Sequence, residues 1–287
     1  MRSTVAGIVL AVWAAMLPQS LLARGPVLDT VRESGRIVFG YSEDAPPFSF
    51  IDKAGKPAGY SLDLCRAVAE QVRRELKLPK LNIVFVAVES ADRINALANG
   101  RVDMDCSTTT QTLGRMERVD FTLMTFVTGV SMLSLRDSGF REPSQIEGKK
   151  VAVIAGTTTE DVLNQYLTDT KLSAQIVSVG SLTTGMGMLA EGSVDGFFSD
   201  RALLIGQIMQ SPVRDRLQIS EDMISFEPYA LMVPREDADF RLVANRALAQ
   251  IYGSEQIGVL YRKWFGLVGS RPSSLLISVF RLQALPE

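Results

Sequence analysis

Val102-Asp103-Met104-Asp105-Cys106-Ser107-Thr108-Thr109-Thr110-Gln111-Thr112-Leu113-Gly114-Arg115-Met116-Glu117-Arg118 is the stretch from which the rest of this 287-residue chain is read. Residues 102–106 are a short strand-like piece. They give way to a run of hydroxyl side chains, 107–110, and then to a helix-compatible segment that carries Arg115. Hydroxyls and free backbone N–H groups at a helix start can take up a small carboxylate, and a guanidinium one turn further on can hold it in a fork. The same residues have a purely structural reading, in which threonines cap a helix and the arginine faces water. A second run of the same kind, far along the chain, tips the balance toward an anion site.

Outward from this stretch, strands and helices alternate. Upstream, residues 27–33 read as a helix and Arg36–Tyr41 as a strand. The loop 42–48 contains Pro46 and Pro47, which argue against regular structure there, and a small hairpin follows around the turn at 52–55. Ser61 is the expected N-cap of a helix that buries Cys65, Val68, Ala69, Val72 and Leu76 on one stripe and ends before Pro79. Residues 82–88 form a strand, and a short helix after Arg93 closes at Asn99-Gly100.

Downstream, 126–135 is a long apolar strand that leaves this pattern. A second series then begins, with strands at 151–154, 175–179 and 196–199, a helix at Leu182–Ala190, and another headed by Asp200. Residues 229–233 return as an apolar strand, and helices at 241–252 and 255–265 close the regular part. Two crossing strands around a self-contained middle segment predict two lobes joined by a two-strand hinge. Residues 27–127 with 230–270 make the first lobe and 128–229 the second, leaving 271–287 as a tail. Each lobe is expected to be α/β, a mostly parallel sheet flanked by helices.

Residues 1–23 are a unit apart: Arg2 in a basic start, an uncharged apolar run from Val5 to Leu17, then Leu21-Leu22-Ala23 before a cut. This is the layout of a secretory signal peptide, and the run is short for a spanning helix, with an uncleaved N-terminal anchor as the alternative. In an exported protein Cys65 and Cys106 can pair; each also stands where a small buried apolar residue would serve, and spacing does not choose. The chain has 30 basic and 32 acidic residues, and without Arg2 the balance is 29 against 32, or −3. That mild acidity argues against nucleic acid or an anionic membrane as partner. Histidine is absent, which removes Ser-His-Asp and Cys-His catalysis and any His-ligated metal, and two cysteines cannot build a Cys₄ zinc site. No cofactor or metal is expected.

Gly156-Thr157-Thr158-Thr159-Glu160-Asp161 is the second hydroxyl run. Glycine lets the backbone approach a ligand, and the threonines head a helix; Thr158 with Asp161 also fits a capping box. In open α/β sheets ligands sit beyond the carboxyl ends of the strands, where both runs lie. An α-amino acid suits such a cleft. Arg115 would fork its carboxylate, Thr110, Thr158 and backbone donors would complete the shell, and Asp200 would take its ammonium unless it caps the helix behind it.

Taken in order, several motifs bear a family resemblance: Pro47-Phe48, Gly59-Tyr60-Ser61-Leu62-Asp63-Leu64, Leu97-Ala98-Asn99-Gly100-Arg101-Val102-Asp103 and Thr108-x-Thr110 with Arg115. Gly156-Thr157-Thr158, Gly192-Ser193-Val194-Asp195 with Asp200, and Lys263-Trp264-Phe265 continue the series. From Arg36 to Phe265 the chain resembles the amino-acid-binding proteins of ABC importers, bacterial solute-binding protein family 3. The resemblance implies the type II periplasmic-binding-protein fold, with Thr108, Thr110, Arg115 and Thr158 on the ligand α-carboxylate and Asp200 on its ammonium. Glu89-Ser90-Ala91-Asp92-Arg93 and the Asp105–Thr110 run look most like the glutamate/aspartate branch, in which Ser90 and Arg93 would face the side-chain carboxylate. That branch places an arginine where Ser42 stands, at a ligand-facing position, and a histidine where Leu182 stands. The basic-ligand branch would want an acid at Ser42 and an aromatic at Ala45. Arg93 could serve one side-chain carboxylate or hydrogen-bond a neutral amide.

The expected function is a periplasmic monomer, not an enzyme, that closes on a free amino acid and delivers it to an ABC permease. Two other classes compete. A prephenate- or arogenate-dehydratase-like enzyme would need Glu43, Asp44 or Glu89 as general acid. A sensory module would report the ligand to a separate membrane kinase.

Overall fold

The computed structural model describes residues 26–266 and 271–287; the expected export signal, residues 1–23, lies outside the described residues. The first series runs α1 (Val27–Ser34), β1 (Arg36–Tyr41), β2 (Asp44–Ala45), β3 (Ser49–Ile51), β4 (Pro57–Ala58), α2 (Tyr60–Glu75), β5 (Asn82–Ala87), α3 (Arg93–Ala98), β6 (Met104–Asp105), α4 (Leu113–Met116) and β7 (Val119–Thr128). The second comprises β8 (Val130–Leu135), β9 (Lys149–Ile154), α5 (Thr158–Thr170), β10 (Ala174–Val179), α6 (Leu182–Ala190), β11 (Gly196–Asp200), α7 (Arg201–Gln210) and β12 (Leu217–Ile219). The chain then returns through β13 (Glu227–Pro234), α8 (Ala238–Tyr252), α9 (Gln256–Phe265) and α10 (Ser274–Gln283). No helix among the described residues is long and apolar enough to cross a membrane.

Two five-stranded sheets result, ordered β5-β1-β6-β13-β7 and β10-β9-β11-β8-β12. In the first, β1 is parallel to β5 and β6, and β13 runs antiparallel to β6 and β7. In the second, β9 is parallel to β10 and β11, and β8 runs antiparallel to β11 and β12. One strand in each sheet therefore opposes its four companions. This is the two-lobe type II architecture.

The crossing strand expected at 126–135 is two strands that meet at Gly129. A Cβ there would stand 2.2 Å from the Ser225 carbonyl oxygen, so the outgoing and returning connections cross at a point that only glycine fits. β7 also begins seven residues earlier than expected, because Asp120, Thr122 and Thr125 interrupt its apolar pattern; two of them, Thr122 and Thr125, are nonetheless buried. The hinge strands carry an aromatic cluster. Phe126 of β7 and Tyr229 of β13 lie 4.9 and 5.5 Å from the Phe48 ring, edge-on, and Phe265 of α9 lies 5.3 Å from it. Such contacts fix the Pro46-Pro47-Phe48 loop against the hinge.

Several resemblance motifs hold the fold rather than a ligand. Asp63 of α2 accepts from Lys263 Nζ (2.6 Å) and Trp264 Nε1 (2.8 Å), tying α2 to α9. Asp103 takes the Val38 N–H in the first lobe as Asp195 takes the Lys150 N–H in the second. Cys65 and Cys106 are paired, S–S 2.08 Å, which anchors the opening stretch to α2.

Three local expectations fail. The α2 N-cap is Gly59, not Ser61: at φ 140° and with a Cβ that would stand 2.0 Å from Phe48 O, only glycine fits. Asp44–Ala45 pairs with β3 despite the prolines that follow. The segment after Arg271 contains α10, whose Gln283 amide bonds both the N–H (2.7 Å) and the carbonyl (3.0 Å) of Met124 on the edge strand β7.

Candidate functional site

The two hydroxyl runs meet across one cleft between the lobes. From the first sheet, Ser42 follows β1, Ser90 follows β5, Arg93 opens α3, Thr108 and Thr110 follow β6, and Arg115 lies in α4; all line the cleft. From the second, Thr158 opens α5 after β9 and Asp200 ends β11, and both line it too. All eight expected residues thus converge at the carboxyl ends of strands or just beyond. Leu182 and Ala45 share the lining, so the wall is apolar where the resembling branch carries histidine.

On the first wall, Thr112 caps α4 by accepting from the Arg115 N–H (3.2 Å), and Arg115 Nη1 donates to the Thr110 carbonyl (2.7 Å). Burial lowers the Arg115 pKa and the neighbouring Arg93 charge adds to that, while Glu227, Asp200 and Asp161 oppose it. Two guanidinium groups that repel each other in a shielded cleft favour an anion between them. Arg93 is 8 % exposed, donating through Nη1 to Thr109 Oγ1 (3.0 Å) and through Nη2 to Ser90 Oγ.

On the second wall, the Thr158 hydroxyl contacts Glu227 Oε2 (2.9 Å) and Thr110 Oγ1 (3.3 Å). With one proton to donate, it gives that proton to the Glu227 carboxylate and accepts from the Thr110 hydroxyl. The capping box does not form: Thr157 is the N-cap of α5, without a side-chain cap, and Thr158 is the first helical residue. Asp200 does occupy the N-cap position of α7 but makes no cap bond; its Oδ2 accepts from Tyr229 Oη instead. Burial pushes its pKa up to about 7, helped by Glu227 and opposed by the Tyr229 hydrogen bond and the two arginines.

Among the described residues, three buried side-chain polar atoms lack a partner: Ser42 Oγ, Arg93 Nε and Asp200 Oδ1. All three belong to residues lining this cleft. Buried polar groups left unpaired cost about 1–3 kcal/mol each, so a cationic donor, a hydroxyl and a carboxylate oxygen in one cavity together fit a ligand that carries both signs of charge. The lobes touch around it. Asp44 accepts from the Thr183 N–H (3.2 Å) and from Gln207 Nε2 (2.6 Å), and a Cβ on Gly206 of α7 would meet Pro46 O at 2.0 Å.

Four contributors were not anticipated: Asp105, Thr109, Glu227 and Tyr229. Glu227 and Tyr229 are two apart on β13 and so share a face, but a strand read as starting at 229 hides the first of them. Asp105 and Thr109 stand inside the opening stretch, and an acid alternating with apolar residues in so short a strand was their signal.

A two-lobed α/β shell closed over a charged cavity, with both walls built from strand ends and helix starts, is a ligand receptor of the hinged-lobe class. Residues 37–267 match the family model of bacterial extracellular solute-binding proteins, family 3, and the chain belongs to that family. It is 35% identical over 239 residues to an L-glutamate/L-aspartate-binding protein of Pseudomonas aeruginosa, covering 83% of this chain and 79% of the relative. A glutamate/aspartate import solute-binding protein of Escherichia coli K12 is 30% identical over 243 residues, 85% of this chain and 80% of its own. Among solved structures, a mutant of ArgBP from T. maritima superposes with TM-score 0.75 at 28% identity, covering 84% of this chain and 99% of that one.

Proposed function

We propose that this protein is the periplasmic receptor of an ABC importer, a monomer that closes on one free L-amino acid and delivers it to the membrane permease. Glutamate or aspartate is the preferred ligand, ahead of other polar amino acids. The observation that carries the reading is the placement of the unpartnered Asp200 Oδ1 and Arg93 Nε in a cleft that Arg115 also lines. Arg115 forks the α-carboxylate, with Thr108, Thr110 and Thr158 around it. Asp200 takes the ammonium, and Arg93, Ser90 and Ser42 meet the side-chain oxygens. The ligands in the names of the bacterial relatives support the same class. The lobes that close are residues 27–127 with 230–270, and 128–229.

A dehydratase on this fold is less well supported. Glu43 and Glu89 are exposed, and the Asp44 carboxylate is engaged by the Thr183 N–H, so none of them is a buried acid poised to donate. Titration calorimetry of the folded protein with the twenty amino acids tests the proposal. Saturable binding of an acidic or polar member is expected, and it should disappear in Arg115→Ala. Heat from none of the twenty would end the reading.

A further inference from the structure

We infer that Asp105, which does not line the cleft, sets how strongly the receptor prefers a charged over a neutral ligand side chain by offsetting the positive charge of Arg93. The inference rests on the proposal that Arg93 meets the ligand side chain.

Asp105 ends β6 and is 1% exposed. Its Oδ2 is 3.0 Å from Thr109 Oγ1, which is itself 3.0 Å from Arg93 Nη1, so carboxylate and guanidinium stand at most about 6 Å apart through one hydroxyl. Ser107 Oγ donates to the other oxygen at 2.9 Å. The geometry makes Thr109 a relay: it accepts from the guanidinium and donates to the carboxylate. Burial pushes the Asp105 pKa up, but Arg93 and the two hydroxyls pull it back, each of them favouring the anion.

With Asp105 held as the anion by the hydroxyls of Ser107 and Thr109, it and Arg93 together carry no net charge in a region shielded from water. A carboxylate placed against Arg93 is attracted by the guanidinium and repelled by the aspartate behind it. A side-chain amide in the same place keeps its hydrogen bond and feels little of either charge. Asp105 therefore narrows the advantage of an acidic side chain over its neutral amide. The rest of the lining works in the same direction. Arg115, the other guanidinium of the cleft, is taken by the α-carboxylate, and neither Ser42 nor Leu182 adds a cation beside Arg93, so the pull on an anionic side chain depends on how much of the Arg93 charge Asp105 cancels.

Asp105→Asn tests this, because asparagine keeps the size of the side chain and an oxygen for Thr109 while removing the charge. L-Glutamate and L-glutamine are titrated calorimetrically into wild type, Asp105→Asn and Thr109→Val in one low-salt buffer. The expected result is that the ratio of glutamate to glutamine affinity rises about tenfold in Asp105→Asn. It should not rise in Thr109→Val, which unties Arg93 but leaves the charge. Asp105→Ser, which also lacks the charge, must move the ratio the same way and stands in if the asparagine variant does not fold. A purely structural role would weaken both ligands alike, and an unchanged or reduced ratio overturns the inference. Wild type binding no amino acid at all would overturn the receptor proposal and this inference with it, whereas wild-type binding with an unmoved ratio overturns the inference alone.

Discussion

Asp200 has a pKa near 7 because burial disfavours its charge and Glu227 lies close by, against an ordinary 3.8 in the unfolded chain. Since the folded value is the higher one, the folded state holds its proton longer. Stability linked to this group is fully present below about pH 4 and is lost as pH climbs through 7. Asp200→Asn is accordingly expected to stabilise the unliganded protein at pH 8, by on the order of 2–4 kcal/mol in urea denaturation, while losing the ligand. A less stable asparagine variant would contradict this. In the liganded state the ammonium requires the carboxylate. Affinity should therefore fall below pH 7 by up to about tenfold per unit, with up to one proton released on binding. Calorimetry in buffers of different protonation enthalpy reads that proton, and a flat affinity from pH 5 to 8 would speak against the pairing. At this scale Arg115, Thr110, Thr158 and Asp200 could be placed in the cleft because their types at the ends of strands imply anion and ammonium contacts, whereas Thr108, Ser90, Arg93 and Ser42 came only with the family resemblance. Glu227 and Asp105 were not, since an isolated acid in a sequence reads as a solvated charge until burial is known.

At the scale of elements, the hydroxyl runs work because a strand stops short of a helix start, and the same arrangement occurs in both lobes. β6 is only two residues long and has to be held. The Cys65–Cys106 bond does this, joining residues 41 apart. Removing it by Cys65→Ala with Cys106→Ala should destabilise the protein by up to about 4 kcal/mol, from the chain entropy of a loop of that length. Urea unfolding of the oxidised protein against the variant measures it; equal midpoints would mean the link contributes nothing. The sequence left the pairing open because two spacings in a chain contain no distance. The first seven residues of β7 were missed for a different reason: their polar side chains break the apolar pattern, yet Thr122 and Thr125 bond the backbone of the neighbouring strand β13. Helices with a clear apolar stripe, such as α2, were read in the right place, although its N-cap lies two residues before the expected Ser61 and it ends at Glu75.

Across the whole molecule, alternation of strands and helices gave two α/β lobes, but strand order depends on which crossovers bring β13 between β6 and β7, and that is set by tertiary packing. The aromatic cluster of Phe48, Phe126, Tyr229 and Phe265 joins the loop at Pro46, both hinge strands and α9, so it lies where the lobes must turn. α10 closes the edge of the first sheet at Met124, a role that composition alone did not suggest. The central claim is that a guanidinium on one lobe and a carboxylate on the other grip the two ends of one zwitterion. Calorimetry comparing L-glutamate with N-acetyl-L-glutamate and with the α-carboxamide of L-glutamate tests it in one series. Blocking either end should weaken binding by about a hundredfold or more, since each leaves a buried charge unpaired. If either blocked compound binds within threefold of L-glutamate, the grip across the two lobes is wrong.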